Sequence, residues 1–129
     1  MKAGDRLPDL ERQIELSDMV AYGAATWDWH RLHYDPEHAR RFGMRAPVVD
    51  GQMLGALLAE QVVRALGSHA QITRLYYRNR SPVHAGDRIV CEAAVDKTDG
   101  RKIFIEQTIR VGDSVVVAPA GAEVRWPHP

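Results

Sequence analysis

The reactive side chains of this sequence crowd into one short stretch, Thr26-Trp27-Asp28-Trp29-His30-Arg31-Leu32-His33-Tyr34-Asp35-Pro36-Glu37-His38. Three of the 6 histidines and two aspartates lie between Asp28 and His38. Three chemistries fit these residue types. Asp28 and Asp35 can cap helices, with the aromatics in the core and the histidines in water. Asp28, His30, His33 and His38 have the donor atoms that transition metals favour, although their spacing follows no closed zinc pattern and Cys91 is remote. Asp28 and His33 can also work as an acid/base pair on a bound water. Spaced by five, these two would point apart on a continuous helix. They converge only if the helix ends between them, and the apolar pattern of the preceding segment stops there.

That condition turns attention to the flanking elements. Ser17-Asp18 reads as an N-cap and Met19 to Trp27 as a short alanine-rich helix. Asp35 can cap a second short helix, with Pro36 suited to its first position, Glu37 to the positive end of its dipole and Gly43 to its close. The cluster therefore falls at one helix end and in the loop before the next, a common place for catalysis on a rigid scaffold. Asp50 reads as the cap of a longer helix, Gly51 to Leu66, closed by Gly67, rather than as a catalyst. Met53, Leu54, Leu57, Leu58, Val62, Val63 and Leu66 cover most of its circumference. Only Glu60, Gln61 and Arg64 form a polar strip, so the helix should be largely buried. Gly51 and Gly55 allow other backbone, or a ligand, to approach its first turns.

The second half reads as a strand meander: Ile72 to Arg80, Arg88 to Lys97, Ile103 to Val111 and Val115 to Trp126. Pro82 to Asp87 is a turn, and Asp99-Gly100 and Gly112-Asp113 are hairpin signals. Pro119 should put a bulge in the last strand or mark an edge. The segment before Ser17 can add one more strand. An apolar helix followed by long antiparallel strands is an α+β arrangement, with a twisted sheet wrapped around the helix. Free sheet edges and apolar surface then invite a second subunit.

Composition sets the outer bounds. With 129 residues, 45% apolar and 26% charged, the chain is expected to be one domain, 1–129, with a core of its own. Lys+Arg and Asp+Glu both number 17, which argues against a dedicated nucleic-acid binder or a polybasic membrane-surface protein. The longest apolar run, Met53 to Ala59, is too short to span a bilayer. Asp5, Arg6, Asp9, Glu11 and Arg12 leave no apolar signal core near the start. Cys91 has no cysteine to pair with in the chain, which suits a reducing compartment, so a cytoplasmic protein is expected.

Asp28-x-His30-Arg31-x-His33 resembles the D-x-N-P-x-H motif of MaoC-like (R)-specific enoyl-CoA hydratases and dehydratases. Tyr34-Asp35-Pro36-Glu37-His38-Ala39 is similar to the usual continuation. Phe42-Gly43 and Pro47-Val48-Val49-Asp50-Gly51-Gln52-Met53 also fit, where the family often has A-H-G-M. Pro82-Val83-x-x-Gly86-Asp87 resembles a turn between two of the family's strands. His30-Arg31 stands for the usual Asn-Pro, and Asp50 for a histidine. The string His30-Arg31-Leu32-His33-Tyr34-Asp35 is similar to a branch reading H-R-I-H-Y-D, which includes mesaconyl-type CoA hydratases and mitochondrial 3-hydroxyacyl-thioester dehydratases.

The resemblance implies a single hotdog domain, a dimer, and a site near the subunit interface. It implies reversible addition of water to a 2-enoyl-CoA to give a 3-hydroxyacyl-CoA, with Asp28 and His33 holding and activating the water. The Gly51 N–H, at a helix N-terminus that favours negative charge, is the expected donor to the thioester oxygen; tight packing is the other reason for a glycine there. His30 can bind substrate or orient Asp28. Trp27, Trp29 and Tyr34 can line the acyl pocket or pack the core, and Arg74, Arg78 and Arg80 can meet CoA phosphates or simply face water. Apart from the CoA thioester as substrate, no cofactor or metal is expected. The partner is a second copy or another hotdog chain. The alternatives are a hotdog acyl-CoA thioesterase and a non-catalytic or partner-dependent subunit that binds acyl thioesters.

Overall fold

A computed structural model describes residues 1–126; the last three residues of the expected 1–129 domain lie outside the described residues. Strand β1 (Arg6–Gln13) realises the extra strand before Ser17. Helix α1 spans Leu16–Thr26 and starts ahead of the expected Met19. The cap explains the difference. Glu15, not Ser17-Asp18, is the N-cap, and the Asp18 carboxylate reaches back to accept the Glu15 N–H at 2.8 Å. A single 3-10 turn, Arg31–His33, precedes helix α2 (Pro36–Arg41), whose cap Asp35 accepts N–H bonds from Glu37 and His38. Helix α3 (Gly51–Leu66) has the expected bounds.

Four strands follow: β2 (Gln71–Asn79), β3 (Arg88–Asp99), β4 (Lys102–Val111) and β5 (Ser114–Arg125). Together with β1 they form a 5-stranded antiparallel sheet in the order β1-β3-β4-β5-β2. The two expected hairpin turns place Gly100 and Gly112 at φ 60° and 57°, a region that costs glycine least. Pro119 marks no edge, because β5 lies between β4 and β2. It sits in a bulge: Ala120 pairs with Gln107 and Val117 with Ile109, so β5 carries one residue more than β4 there.

Helix α3 lies across one face of the sheet. Leu54, Leu58, Val62 and Leu66 are buried with Ile89, Cys91, Ile105, Ile109, Val117 and Val124. Each large aliphatic side chain so buried contributes about 1.5–3 kcal/mol. The covering is less complete than its apolar circumference implies, for Gln52, Ala56, Val63 and Arg64 stay exposed on one flank. Gln61 departs from the expected polar strip in the other direction and is only 2% exposed. Its Nε2 donates to the Pro8 and Cys91 carbonyls at 3.0 and 2.9 Å, and its Oε1 accepts from Gln107 Nε2 at 3.0 Å. A polar residue can be buried there because the helix meets the irregularity in the β1–β3 pairing between Leu7 and Leu10, where the Pro8 and Cys91 carbonyls accept its amide. Gly51 and Gly55, one turn apart, receive side chains of β2. A Cβ on Gly55 would lie 2.4 Å from the Tyr77 ring, and one on Gly51 2.3 Å from Asn79 Nδ2.

Candidate active site

The chain reverses just after α1, and a glycine permits it. Trp27 takes a left-handed conformation, φ 60°, and the Asp28 N–H bonds back to the Gly23 carbonyl at 2.9 Å. The Asp28 carbonyl then lies where a Gly23 side chain would begin, 2.8 Å from an ideal Cβ. The helix thus ends at Thr26, just ahead of Asp28 rather than between Asp28 and His33, and both residues lie on the irregular segment that follows it. The 3-10 turn brings His33 round. His30 Nδ1 accepts the Leu32 N–H at 3.2 Å, and the His33 N–H bonds the His30 carbonyl at 3.0 Å. Val48 fastens the turn on its other side, its N–H bonding the Leu32 carbonyl at 2.9 Å.

His33 Nδ1 lies 2.7 Å from the Val48 carbonyl. A carbonyl only accepts, so Nδ1 carries a proton, and in the neutral imidazole the lone pair is on Nε2. That nitrogen faces carboxylates. Asp50 Oδ2 is 4.0 Å away. One side-chain donor atom each from Asp28, His33 and Asp50 all lie within 4.8 Å of one another. Met19, Tyr22, Gly23 and Met53 close the space around them. The hydrogen bond from Asp50, and then the His30 N–H, hold the Asp28 carboxyl below the usual carboxylate range. Burial, and then Asp28 itself, push Asp50 up. Burial and the Asp50 charge also raise the Tyr22 phenol.

From His33 a groove of about 340 Å³ runs past Val48, Gly51, Leu54 and Asn79 to Arg80 and Pro82. Val48, Val49, Leu54 and Val83 give it apolar lining, and His33, Asn79, Arg80 and Ser81 polar lining. Asp50 Oδ1 takes the Gln52 N–H at 3.0 Å, and the Asp50 carbonyl takes the Met53 N–H at 2.9 Å. The Gly51 N–H has no hydrogen-bond partner among the described residues, as the first turn of a helix allows.

Tertiary structure splits the sequence cluster. Asp28 and His33 come together; His30 spends Nδ1 on capping the turn, with its ring 5.7 Å from that of His33. Tyr34 packs edge-on against Trp29, 6.4 Å between centroids, and borders neither the polar pocket nor the groove. Trp27 is 81% exposed and Trp29 45%, so neither belongs to the core of this chain. The set Asp28, His30, His33 and His38 does not assemble: among the described residues the donor atoms that converge, within 4.8 Å of one another, are those of Asp28, His33 and Asp50. Of the three arginines, Arg80 borders the groove, while Arg74 stacks 5.3 Å from the Tyr76 ring. Cys91 is no nucleophile, since burial pushes its thiol up to about 12. The sequence reading missed Asp50 as a member of the site, along with Asn79 and Tyr22. Asp50 carried a signal, being next to Gly51, but its capping role explained it fully. The contacts of Asn79 and Tyr22 depend on tertiary packing.

The chain matches the family described as MaoC like domain over residues 3–117. It belongs to the MaoC-like family. A mitochondrial 3-hydroxyacyl-[acyl-carrier-protein] dehydratase of Arabidopsis thaliana is 32% identical over 90 residues, 70% of this chain and 53% of that protein. The chain thus spans about half the length of that curated relative. The (R)-hydratase from A. caviae involved in PHA biosynthesis has TM-score 0.92 at 22% identity, covering 98% of each chain. A chain of the ChsH1-ChsH2 complex from Mycobacterium tuberculosis has TM-score 0.91 at 22% identity, covering 96% of this chain and 97% of that one. These structural neighbours and this chain share the hotdog fold, a helix packed on an antiparallel sheet.

Proposed function

We propose that this MaoC-like chain adds water reversibly to the double bond of a 2-enoyl-CoA, giving the 3-hydroxyacyl-CoA. The observation that carries this reading is the fixed tautomer of His33. The Val48 carbonyl holds Nδ1–H, so Nε2 faces Asp50 Oδ2 at 4.0 Å, with an Asp28 oxygen within 4.8 Å of the pair, where His33 borders both the polar pocket and the groove. A water between Asp28 and His33 is held from two sides. Imidazole chemistry near neutral pH suits its deprotonation as oxygen attacks the β-carbon. The α-carbon receives a proton on the same face. Charge that develops on the thioester oxygen is met by the unpaired Gly51 N–H at the positive end of α3. The acyl chain lies along Val48 and Leu54, and Arg80 is positioned for a CoA phosphate. His30 supports the turn that carries His33, its Nδ1 taking the Leu32 N–H.

The active unit in this proposal contains a second hotdog chain, either another copy or a different partner. The open β2 edge and the exposed Trp27, Trp29 and Val63 support it. No described helix is long and apolar enough to cross a membrane. The test is a panel of trans-2-enoyl-CoA thioesters, short-chain to steroid-like, followed by loss of unsaturation. Hydration is expected. Release of free CoA with the double bond intact would replace this reading with the thioesterase, and no reaction from the folded protein, alone and with a partner chain, would reject both.

A further inference from the structure

Capping α3 uses one oxygen of Asp50 and leaves the other unexplained. Oδ1 takes the Gln52 N–H at 3.0 Å, while Oδ2 turns inward, 4.0 Å from His33 Nε2. The side chain is 13% exposed, and one of its oxygens lies within 4.8 Å of an Asp28 oxygen and of a His33 ring nitrogen. Like charges this close disfavour ionisation of both carboxyl groups, so a proton on one of them relieves the repulsion. No lysine or arginine pairs with either group among the described residues; Arg31 is held by Asp35 and Arg45 by Asp87. The other titratable groups around Asp50 are His33 from the loop, Tyr22 from α1 and, beside Tyr22, Tyr77 from β2. Two carboxylates this close without a cation titrate as a pair and keep one proton between them.

We propose that Asp28 and Asp50 share one proton, held at rest on Asp50, and that this pair is the acid of the reaction while His33 is its base. The assignment rests on the hydratase reading above. His33 Nε2 takes a proton from water as the hydroxyl bonds to the β-carbon, and the alkene electrons move onto the thioester as an enolate. The enolate re-forms the carbonyl as the α-carbon bonds the proton released by the carboxyl pair. The imidazolium then returns its proton to the pair. One water is consumed and every group ends as it began. The directions in which the two carboxyls are pushed, Asp50 up and Asp28 down, agree with Asp50 as the holder.

The first test does not depend on activity. Aspartate labelled with ¹³C at the carboxyl carbon is followed by NMR from about pH 3 to 9, and Asp50→Asn and Asp28→Asn assign the signals. Asp50 is expected to keep its proton well above the exposed aspartates, and to lose part of that shift in Asp28→Asn. The second test is the pH profile of hydration. Asparagine caps a helix as well as aspartate does, so a purely capping Asp50 predicts an unaltered Asp50→Asn enzyme. The shared proton predicts kcat lower by about tenfold to hundredfold, little change in KM, and an alkaline limb moved to lower pH. Ordinary titration of every aspartate, or a wild-type kcat and pH profile in Asp50→Asn, overturns the proposal. A protein that shows the shared proton yet hydrates no enoyl thioester overturns the hydratase reading and supports the pair.

Discussion

At the scale of single residues, His33 gains its chemistry from a neighbour that does none. The Val48 carbonyl selects the tautomer, and Asp28 supplies charge on the other side. His33→Ala and Asp28→Asn should each lower hydration by about 10²–10⁴ and leave the circular dichroism spectrum unchanged. Full activity in either would remove that residue from the machinery. Asp50 leads to a stability prediction as well. Its carboxyl is pushed up from the ordinary value of about 3.9. The folded state therefore binds the proton more tightly than the unfolded chain does. The resulting contribution is fully present below about pH 4 and is lost as pH rises through the raised folded value. Asp50→Asn abolishes this dependence, so its Tm should gain on wild type between pH 4 and neutrality. A constant difference would mean that Asp50 titrates alike in both states. Asp28, pushed down, works in the opposite direction, and its contribution is lost as pH falls.

At the scale of elements, the site depends on how α1 stops and how α3 is seated. Gly23→Ala places a Cβ 2.8 Å from the Asp28 carbonyl oxygen, a backbone atom that cannot swing aside. The chain reversal must open, and Asp28 moves with it. Hydration should fall at least tenfold while α3 and the sheet persist, because small displacements of positioned groups are costly to rate. Wild-type turnover in Gly23→Ala would show that the reversal tolerates the shift. The seat of α3 is the buried glutamine pair. Gln107 Nε2 reaches the Leu58 carbonyl at 2.9 Å and Gln61 Oε1 at 3.0 Å. Gln107→Ala should cost about 2–4 kcal/mol in denaturant unfolding, from the cavity and the acceptor left unpaired. A value within experimental error of zero would mean that water or repacking replaces the amide.

At the scale of the whole molecule, the isolated chain leaves apolar surface and a sheet edge unused. Trp27, Phe42 and Val63 are 81%, 66% and 45% exposed, and among the described residues β2 has a strand neighbour only on its β5 side. Light scattering on the purified chain should report a species of at least twice the 14.5 kDa monomer mass. A stable, active monomer would refute the need for a second hotdog chain. A stable, inactive monomer that gains activity on adding a partner would favour the heteromer.

Much of this was legible from residue order, because the signals are local. The bounds of α3 follow from a capping aspartate, an unbroken apolar run and a closing glycine, and all three act within a turn of where they stand. The strands follow from alternation and hairpin glycines, and the Asp28/His33 pairing from a helix that stops short of both. One departure was local: α1 starts early because the Asp18 carboxylate takes the Glu15 N–H three residues back, which moves the cap to Glu15. The other came from distant partners: Gln61 left the surface because Gln107 and the Pro8 and Cys91 carbonyls receive it. Asp50 shows the division most clearly. Its own neighbours explain a helix cap, and sequence alone ends there. Only the fold brings Asp28 and His33 from the preceding loop against its second oxygen, because a carboxyl shares a proton with what lies near it in space.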